Sequence, residues 1–229
     1  MKICAKYADI FHLPNDKLST TNIYEQSITL KENTKPVYVK PYRIPHAQKT
    51  EVDTQIRQMC DNNIIEPTKS EWSSPILLVP KKVGVSNQKK WRLVVDYRLL
   101  NQKIQDDKFP LPNITDIFDS LSGAVYFSHL DLSQGYYRVK LDKDSRPFTA
   151  FTTSQGQFQM KRLPMGLKTS PSSFSRIMTV AMSGLNYESC FVYLDDLIVF
   201  GRNLNDHNSN LIKVFERLRK VNLKLNPNK

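Results

Sequence analysis

The chain has 229 residues and a formal net charge of +11, from 33 Lys and Arg against 22 Asp and Glu; at 40% hydrophobic, 10% aromatic and 7 Gly it reads as a globular protein of one or two cored domains. Collagen-like, low-complexity and wholly disordered classes are excluded, as is a membrane-spanning helix, since no apolar run approaches the roughly 20 residues one needs. The charged start Met1-Lys2-Ile3-Cys4-Ala5-Lys6 lacks a signal-peptide core, and the scattered Cys4, Cys60 and Cys190 suit neither a disulfide framework nor a zinc site, so a reducing, intracellular setting is expected.

Residues 1–44 are polar and weakly patterned, a leader that packs on or wraps a core. After Pro45, the spacing of Val52, Ile56, Met59, Cys60 and Ile64 predicts a helix closed by Pro67. Ile76–Val79 and Trp91–Tyr97 read as strands joined by the basic hairpin loop 81–90. Phe109-Pro110-Leu111-Pro112 is extended, and Ile114, Ile117, Phe118 and Leu121 mark a short helix stopped at Ser122-Gly123. Strand signal follows at 125–132, 138–141, 148–153 and 157–160. Ser170-Pro171 is a cap and first-turn pair for a helix with the face Phe174, Ile177, Met178, Ala181 and Leu185. A last helix carries Leu211, Val214, Phe215, Leu218 and Val221. Helices alternating with short, mostly hairpin-connected strands make the fold class α+β.

Residues 67–104 carry eight basic and two acidic side chains, and residues 138–176 carry the same, so the whole positive excess lies in two blocks. Such blocks suit a surface that tracks phosphates, and equally a solvated face kept for solubility. The chemistry concentrates in Phe191–Phe200, where two four-residue apolar strands flank Asp195-Asp196 without the Asn-Gly or Asp-Gly that two-residue turns select. Adjacent carboxylates on such a hairpin repel each other unless a cation lies between them, and Mg²⁺, a hard ion with oxygen ligands, fits. Asp131 ends the apolar strand Val125–Leu130 and supplies a third carboxylate in a similar setting. His129 and His207 lack metal-ligand spacing and are read as packing or capping residues.

Tyr193-Leu194-Asp195-Asp196 resembles the Y-x-D-D box of reverse transcriptases, and Leu130-Asp131-Leu132-Ser133-Gln134-Gly135-Tyr136-Tyr137 resembles their first catalytic-aspartate motif. Arg162–Pro171 is similar to the L-P-x-G motif beside the nascent base pair, Trp91–Asn101 to the fingers motif, and Phe109–Pro112 falls in its expected place. Five motifs in order are specific where a lone box is not. Their wording, with Tyr7–Phe11 and the His207 helix, is closest to the gypsy-type branch of LTR retrotransposon polymerases.

The resemblance implies a right-hand palm, an antiparallel sheet backed by helices, with a fingers subdomain. Its expected divisions are a leader at 1–44, fingers at 45–108, palm at 109–147, fingers and palm strands at 148–168, and palm with the hairpin at 169–229. Thumb, connection and RNase H segments have no candidate here. Asp131, Asp195 and Asp196 would hold two Mg²⁺ ions, with Mn²⁺ a substitute. The incoming dNTP would meet Lys82, Arg92, Tyr136, Met165, Gly166 and Lys168, with Tyr136 the steric gate against a ribose 2′-OH. Lys81, Lys89, Lys90 and Tyr193 would face nucleic acid, while Asp96 and Arg98 form a structural strand ion pair. The implied function is RNA-directed DNA polymerisation within a Pol polyprotein. Its partners are an RNA or DNA template with primer, dNTPs and the remainder of Pol, with no membrane. The implied location is the cytoplasm, in a virus-like particle, or the nucleus. The alternative is a truncated, weakly active or inactive nucleic-acid-binding remnant; an RNA-dependent RNA polymerase is disfavoured by Tyr136 at the gate.

Overall fold

The computed structural model describes residues 2–14, 16–80, 91–110, 115, 121–194 and 196–227. In chain order its elements are α1 (Lys2–Lys6), β1 (Glu25–Gln26), α2 (His46–Asp61), β2 (Ile65–Pro67), β3 (Ile76–Pro80), β4 (Trp91–Val95), α3 (Arg98–Lys103) and β5 (Tyr126–Asp131). There follow β6 (Lys140–Leu141), β7 (Phe151–Thr153), β8 (Gly156–Met160), α4 (Ser170–Ala181), β9 (Cys190–Tyr193), β10 (Asp196–Gly201) and α5 (Leu204–Lys220). The chain forms two compact units, one of residues 1–24, 107–139 and 171–229, the other of 25–106 and 140–170.

The first unit is built on an antiparallel sheet in the order β5-β10-β9. Cys190, Val192, Leu197 and Val199, spaced by two along their strands, are all at most 2% exposed. Helix α5 packs against β10 and β5 and buries Leu211, Val214, Phe215 and Leu218, the apolar positions three and four apart that the sequence shows. Its start is fixed by Asn203, whose side chain accepts from the Asp206 amide at 2.9 Å, while the Asp206 carboxylate accepts from the Arg202 amide at 2.9 Å. Helix α4 buries Phe174, Ile177, Met178 and Ala181. Residues 7–10 join this core, with Tyr7 edge-on to Phe215 at 5.5 Å and its hydroxyl donating to Glu216 at 3.1 Å. Burial pushes the Cys190 thiol up to about 12.

The second unit carries the antiparallel sheet β2-β8-β7, the hairpin pair β3-β4 and the short parallel pair β1-β6. Gln55 of α2 grips β4 through its side-chain amide, donating to the Trp91 carbonyl at 3.1 Å and accepting from the Leu93 amide at 2.8 Å.

Several elements differ from the sequence expectation. Helix α2 stops at Asp61 rather than Pro67, because Asn63 turns left-handed at φ +55 and Ile65–Pro67 pairs with β8 as a strand. Strand β4 ends at Val95, and Arg98–Lys103 coils into α3. The strand expected at 138–141 shortens to β6, since Gly135–Arg138 winds as a 3₁₀ turn, and β7 begins only after a second such segment, Lys143–Thr149. Helix α4 ends before Leu185, and Ser170 is its first residue, its hydroxyl donating to the Pro164 carbonyl at 2.7 Å. Loop 81–90 and the helix expected through Ile114, Ile117 and Phe118 lie outside the described residues. No helix of the described residues is long and apolar enough to cross a membrane.

Gly201 closes β10 where the chain turns into α5. A Cβ there would lie 2.6 Å from the His207 Cα, a backbone contact that cannot yield cheaply. Gly201→Ala is therefore expected to destabilise the chain by about 3 kcal/mol in urea denaturation, the range for overpacked sites. A change within about 0.5 kcal/mol, typical of surface substitutions, would show that β10 and α5 are not held this closely.

Candidate active site

The site begins with a register. In the β5–β10 pair Asp196 stands opposite Asp131, Leu197 opposite Leu130 and Ile198 opposite His129. Directly opposed residues of an antiparallel pair project to the same face with Cβ atoms about 4.5–5.5 Å apart, so the two carboxylates are neighbours. Asp131 is 9% exposed. One of its oxygens, Oδ2, accepts from Asn226 Nδ2 at 3.2 Å. The Asp196 side chain is about half exposed and its Oδ1 lies 2.7 Å from His129 Nε2. Tyr193 pairs with Asp196 from the other side and is half-buried on that same face.

Between Tyr193 and Asp196 the hairpin turns at Leu194, at φ +57. A leucine in the left-handed region costs on the order of 1–3 kcal/mol and persists only where its surroundings overrule it. Here the flanking strands are anchored by Phe191 and Phe200, with Leu121, Ala124, Tyr193 and Ile198 packed against them. Asp195 itself lies outside the described residues, as do Lys81, Lys82, Lys89 and Lys90.

Beyond Asp131 the chain turns left-handed at Gln134 (φ +51) and enters the 3₁₀ turn that carries Tyr136. The Tyr136 ring stacks on the buried Phe174 ring, centroids 4.9 Å apart and planes 28° apart. A Cβ on Gly135 would lie 2.8 Å from Phe174 Cζ, so glycine is what lets that ring approach. Next to it the buried Arg138 donates to the Ser133 carbonyl and to Ser19 Oγ, both at 2.7 Å.

In the second unit, Arg92 is exposed on β4, opposite Val79. Met165 and Gly166 are exposed in the loop before α4, and Gly166 takes φ +92, which glycine alone adopts without strain. Asn101 holds that loop from both sides, donating to the Gly166 carbonyl at 2.8 Å and accepting from the Lys168 amide at 2.9 Å. The Lys168 ammonium pairs with Asp106 at 2.7 Å, an exposed contact that exchanges partners at small cost.

Comparison with known proteins decides what this arrangement belongs to. Residues 79–229 match the family model for reverse transcriptase (RNA-dependent DNA polymerase). The chain belongs to the reverse transcriptase family. It is 48% identical over 99% of its length to the retrovirus-related Pol polyprotein from transposon 412 of Drosophila melanogaster, covering 18% of that protein. It is 36% identical over 91% of its length to the enzymatic polyprotein of cauliflower mosaic virus (strain Strasbourg), covering 30% of it. The chain thus spans less than a third of either relative. Among solved structures it superposes on foamy viral protease-reverse transcriptase in complex with RNA/DNA hybrid (TM-score 0.85, 25% identity, 100% of this chain and 30% of that one). It superposes equally on the same viral enzyme in complex with double-stranded DNA (TM-score 0.86, 26% identity, 98% and 38%). The right-hand palm read from the motifs is the fold observed.

Reverse transcriptases work with divalent metal ions. In this reverse transcriptase domain the opposed Asp131 and Asp196 are hard oxygen donors on one face, the donor chemistry that Mg²⁺ or Mn²⁺ takes. Among the described residues no three His, Cys, Asp or Glu side chains form a ready metal cage, Asp195 not being one of them. Two site neighbours escaped the sequence reading. His129 was expected to pack or cap; instead it faces Asp196, and the signal for this is its place two residues before Asp131, on the same face of the strand. His207 is buried near Gly201, as a packing residue would be. Asn226, 95 residues away from Asp131, had no local signal.

Asp96 and Arg98 are paired through two hydrogen bonds, Nε to Oδ1 at 2.9 Å and Nη2 to Oδ2 at 2.7 Å, but at the junction of β4 and α3 rather than within a strand. Arg98's guanidinium, helped by its amide and by the Tyr42 hydroxyl at 3.0 Å and opposed by burial, pulls the Asp96 carboxyl down to about 2. A carboxyl depressed in the folded state stabilises it above its unfolded pKa of about 3.9 and loses that contribution as pH falls through about 2. The reverse transcriptase domain should therefore melt above its Asp96→Asn variant at pH 5, with the gap narrowing from pH 4 towards pH 2. A gap constant over that range would assign the stabilisation to shape rather than charge.

Proposed function

We propose that this chain is the fingers-and-palm portion of an RNA-directed DNA polymerase, which adds dNTPs to a primer 3′-hydroxyl along an RNA or DNA template. One observation carries the reading: within a chain of this family, the register sets Asp131 against Asp196 at the foot of the Tyr193–Asp196 turn. On this reading the unit that bears Asp131 is the palm and the unit that bears Arg92 the fingers.

Asp131, Asp195 and Asp196 are the metal ligands of this proposal. Divalent ions held by them would acidify the primer hydroxyl and neutralise the triphosphate and its leaving group. The chain's own residues do the rest. Tyr136, braced by Phe174, presents a fixed ring where a ribose 2′-OH would need room. Gly166, kept in its left-handed turn by Asn101, lets a base pair approach the backbone closely. Arg92 offers a planar fork for phosphate oxygens, and Lys82 a point charge. The charge that template and primer phosphates require comes chiefly from the basic block at 67–104, since within 138–176 Arg138 and Arg162 are buried and Arg146, Lys161, Lys168 and Arg176 are ion-paired. That relatives are Pol and enzymatic polyproteins, and that a structural neighbour is bound to RNA/DNA hybrid, supports the same substrate class.

Primer extension on an RNA template with dNTPs and Mg²⁺ or Mn²⁺ tests the proposal. Extension should fall by several orders of magnitude in Asp131→Asn and in Asp195→Asn, while primer-template affinity stays near that of the parent. Undiminished extension in either variant would dismiss the assignment. Tight binding by the parent without any extension would make this chain a binding module.

A further inference from the structure

Residues 223–226 form an extended segment that alternates burial, with Leu223 and Leu225 at most 1% exposed and Lys224 and Asn226 half-buried on the other side. This segment runs between two others. Leu225 bridges Leu132 in antiparallel fashion and Phe11 in parallel, the Ser133 amide donates to the Lys224 carbonyl at 2.9 Å, and the Leu225 amide donates to the Ile10 carbonyl at 2.8 Å. Its ladder ends on the candidate ligand itself. The Asn226 amide donates to the Asp131 carbonyl at 2.9 Å, and Asn226 Nδ2 donates to Asp131 Oδ2 at 3.2 Å. One residue thus holds Asp131 by backbone and by side chain.

We propose that Asn226 is a positioning residue for Asp131, fixing the rotation of its carboxylate so that the group is pre-set for a divalent cation. The inference rests on Asp131 being a metal ligand, as proposed above. A carboxylate at a strand end rotates about two bonds, and ordering it on binding costs entropy that a standing hydrogen bond has already removed. An amide suits the task because it donates to an ionised oxygen without adding charge, whereas a carboxylate at 226 would repel Asp131 and a lysine would compete with the cation. The backbone bond keeps the amide within reach, since Leu225 is locked into the core on the opposite side of the segment.

The test is Mn²⁺ binding to the full chain, followed by electron paramagnetic resonance of the unbound ion, with thermal melting alongside. Five proteins are compared: the parent, Asp131→Asn, Asn226→Ala, Asn226→Gln and Asn222→Ala. Asn222 sits on the same segment, left-handed at φ +55, and donates to the Thr20 carbonyl at 2.8 Å, so its replacement breaks a side-chain hydrogen bond and strains the segment away from Asp131. Asp131→Asn should abolish a Mn²⁺ site. Asn226→Ala should weaken that site by about 10-fold or more, the usual effect of removing a partner behind a metal ligand. Asn222→Ala should leave it as in the parent, and Asn226→Gln, which keeps the amide donor, should recover part of the loss. If Asp131→Asn loses the site and Asn226→Ala does not, the positioning role is wrong and the active-site reading stands. Equal weakening in Asn222→Ala and Asn226→Ala would reduce Asn226 to a structural residue. A Mn²⁺ site indifferent to Asp131→Asn, or missing from the parent, would overturn both inferences.

Discussion

The active-site reading depends on one constraint, the pairing of β10 with β5 that puts Asp196 opposite Asp131. Side chains alternate along a strand, so a slip of one residue would set Leu197 against Asp131 and turn Asp196 into the core. What prevents the slip is the burial of Cys190, Val192, Leu197 and Val199, all of which would exchange faces together. On the other face Phe191 and Phe200 anchor the same two strands, and the two packings together hold Leu194 at φ +57, a conformation it would not take in a loose loop. Hydrophobic packing on one face of the sheet thereby dictates where two carboxylates stand on the other.

Asp131 is also the place where distant parts of the chain meet. Residues 10–12, 131–133 and 223–226 lie side by side in one ladder, so the strand end that bears the carboxylate is bounded by segments from both ends of the chain. Tyr7 and Ile10 are buried with Phe215, and Arg219 stacks over the Tyr7 ring at 4.5 Å while pairing with Asp9. Residues 7–12, which as sequence look like part of a polar leader, are thus core and buttress of the unit that carries the carboxylates. In the other unit a comparable economy appears at Asn101, whose single amide group both accepts and donates to keep the Gly166 turn closed.

Much of this was legible in the sequence, and the reasons differ from element to element. The hairpin was visible because two apolar quartets flank a polar pair, although its turn comes one residue earlier than that pair, since Asp196 already opens β10 opposite Tyr193; α5 was visible because its apolar residues keep a period near 3.6 for about three turns. The end of α2 was misplaced because Pro67 is an obvious breaker, whereas the actual stop is the left-handed Asn63, and the following Ile65-Glu66-Pro67 is recruited by β8 far along the chain. Helix α3 was missed because Trp91–Tyr97 continues a strand-like pattern up to its first turn. The carboxylates of the site stand at strand ends and turns, where composition is telling. Their neighbours His129 and Asn226 are defined by cross-strand geometry, which a one-dimensional pattern does not display. Motif order compensated for part of this, since five short motifs in sequence pointed to a fold whose contacts none of them describes alone.

The central claim is that Asp131, through its register with β10, is a ligand for divalent cations at the end of the palm sheet. Its most direct test is anomalous diffraction from crystals of the chain grown with primer-template and a non-hydrolysable dNTP analogue, then soaked in Mn²⁺. The account predicts anomalous density at oxygen-ligand distance, about 2.0–2.2 Å, from the carboxylate of Asp131, shared with the Tyr193–Asp196 turn. Mn²⁺ bound elsewhere, with no density against Asp131, would contradict it.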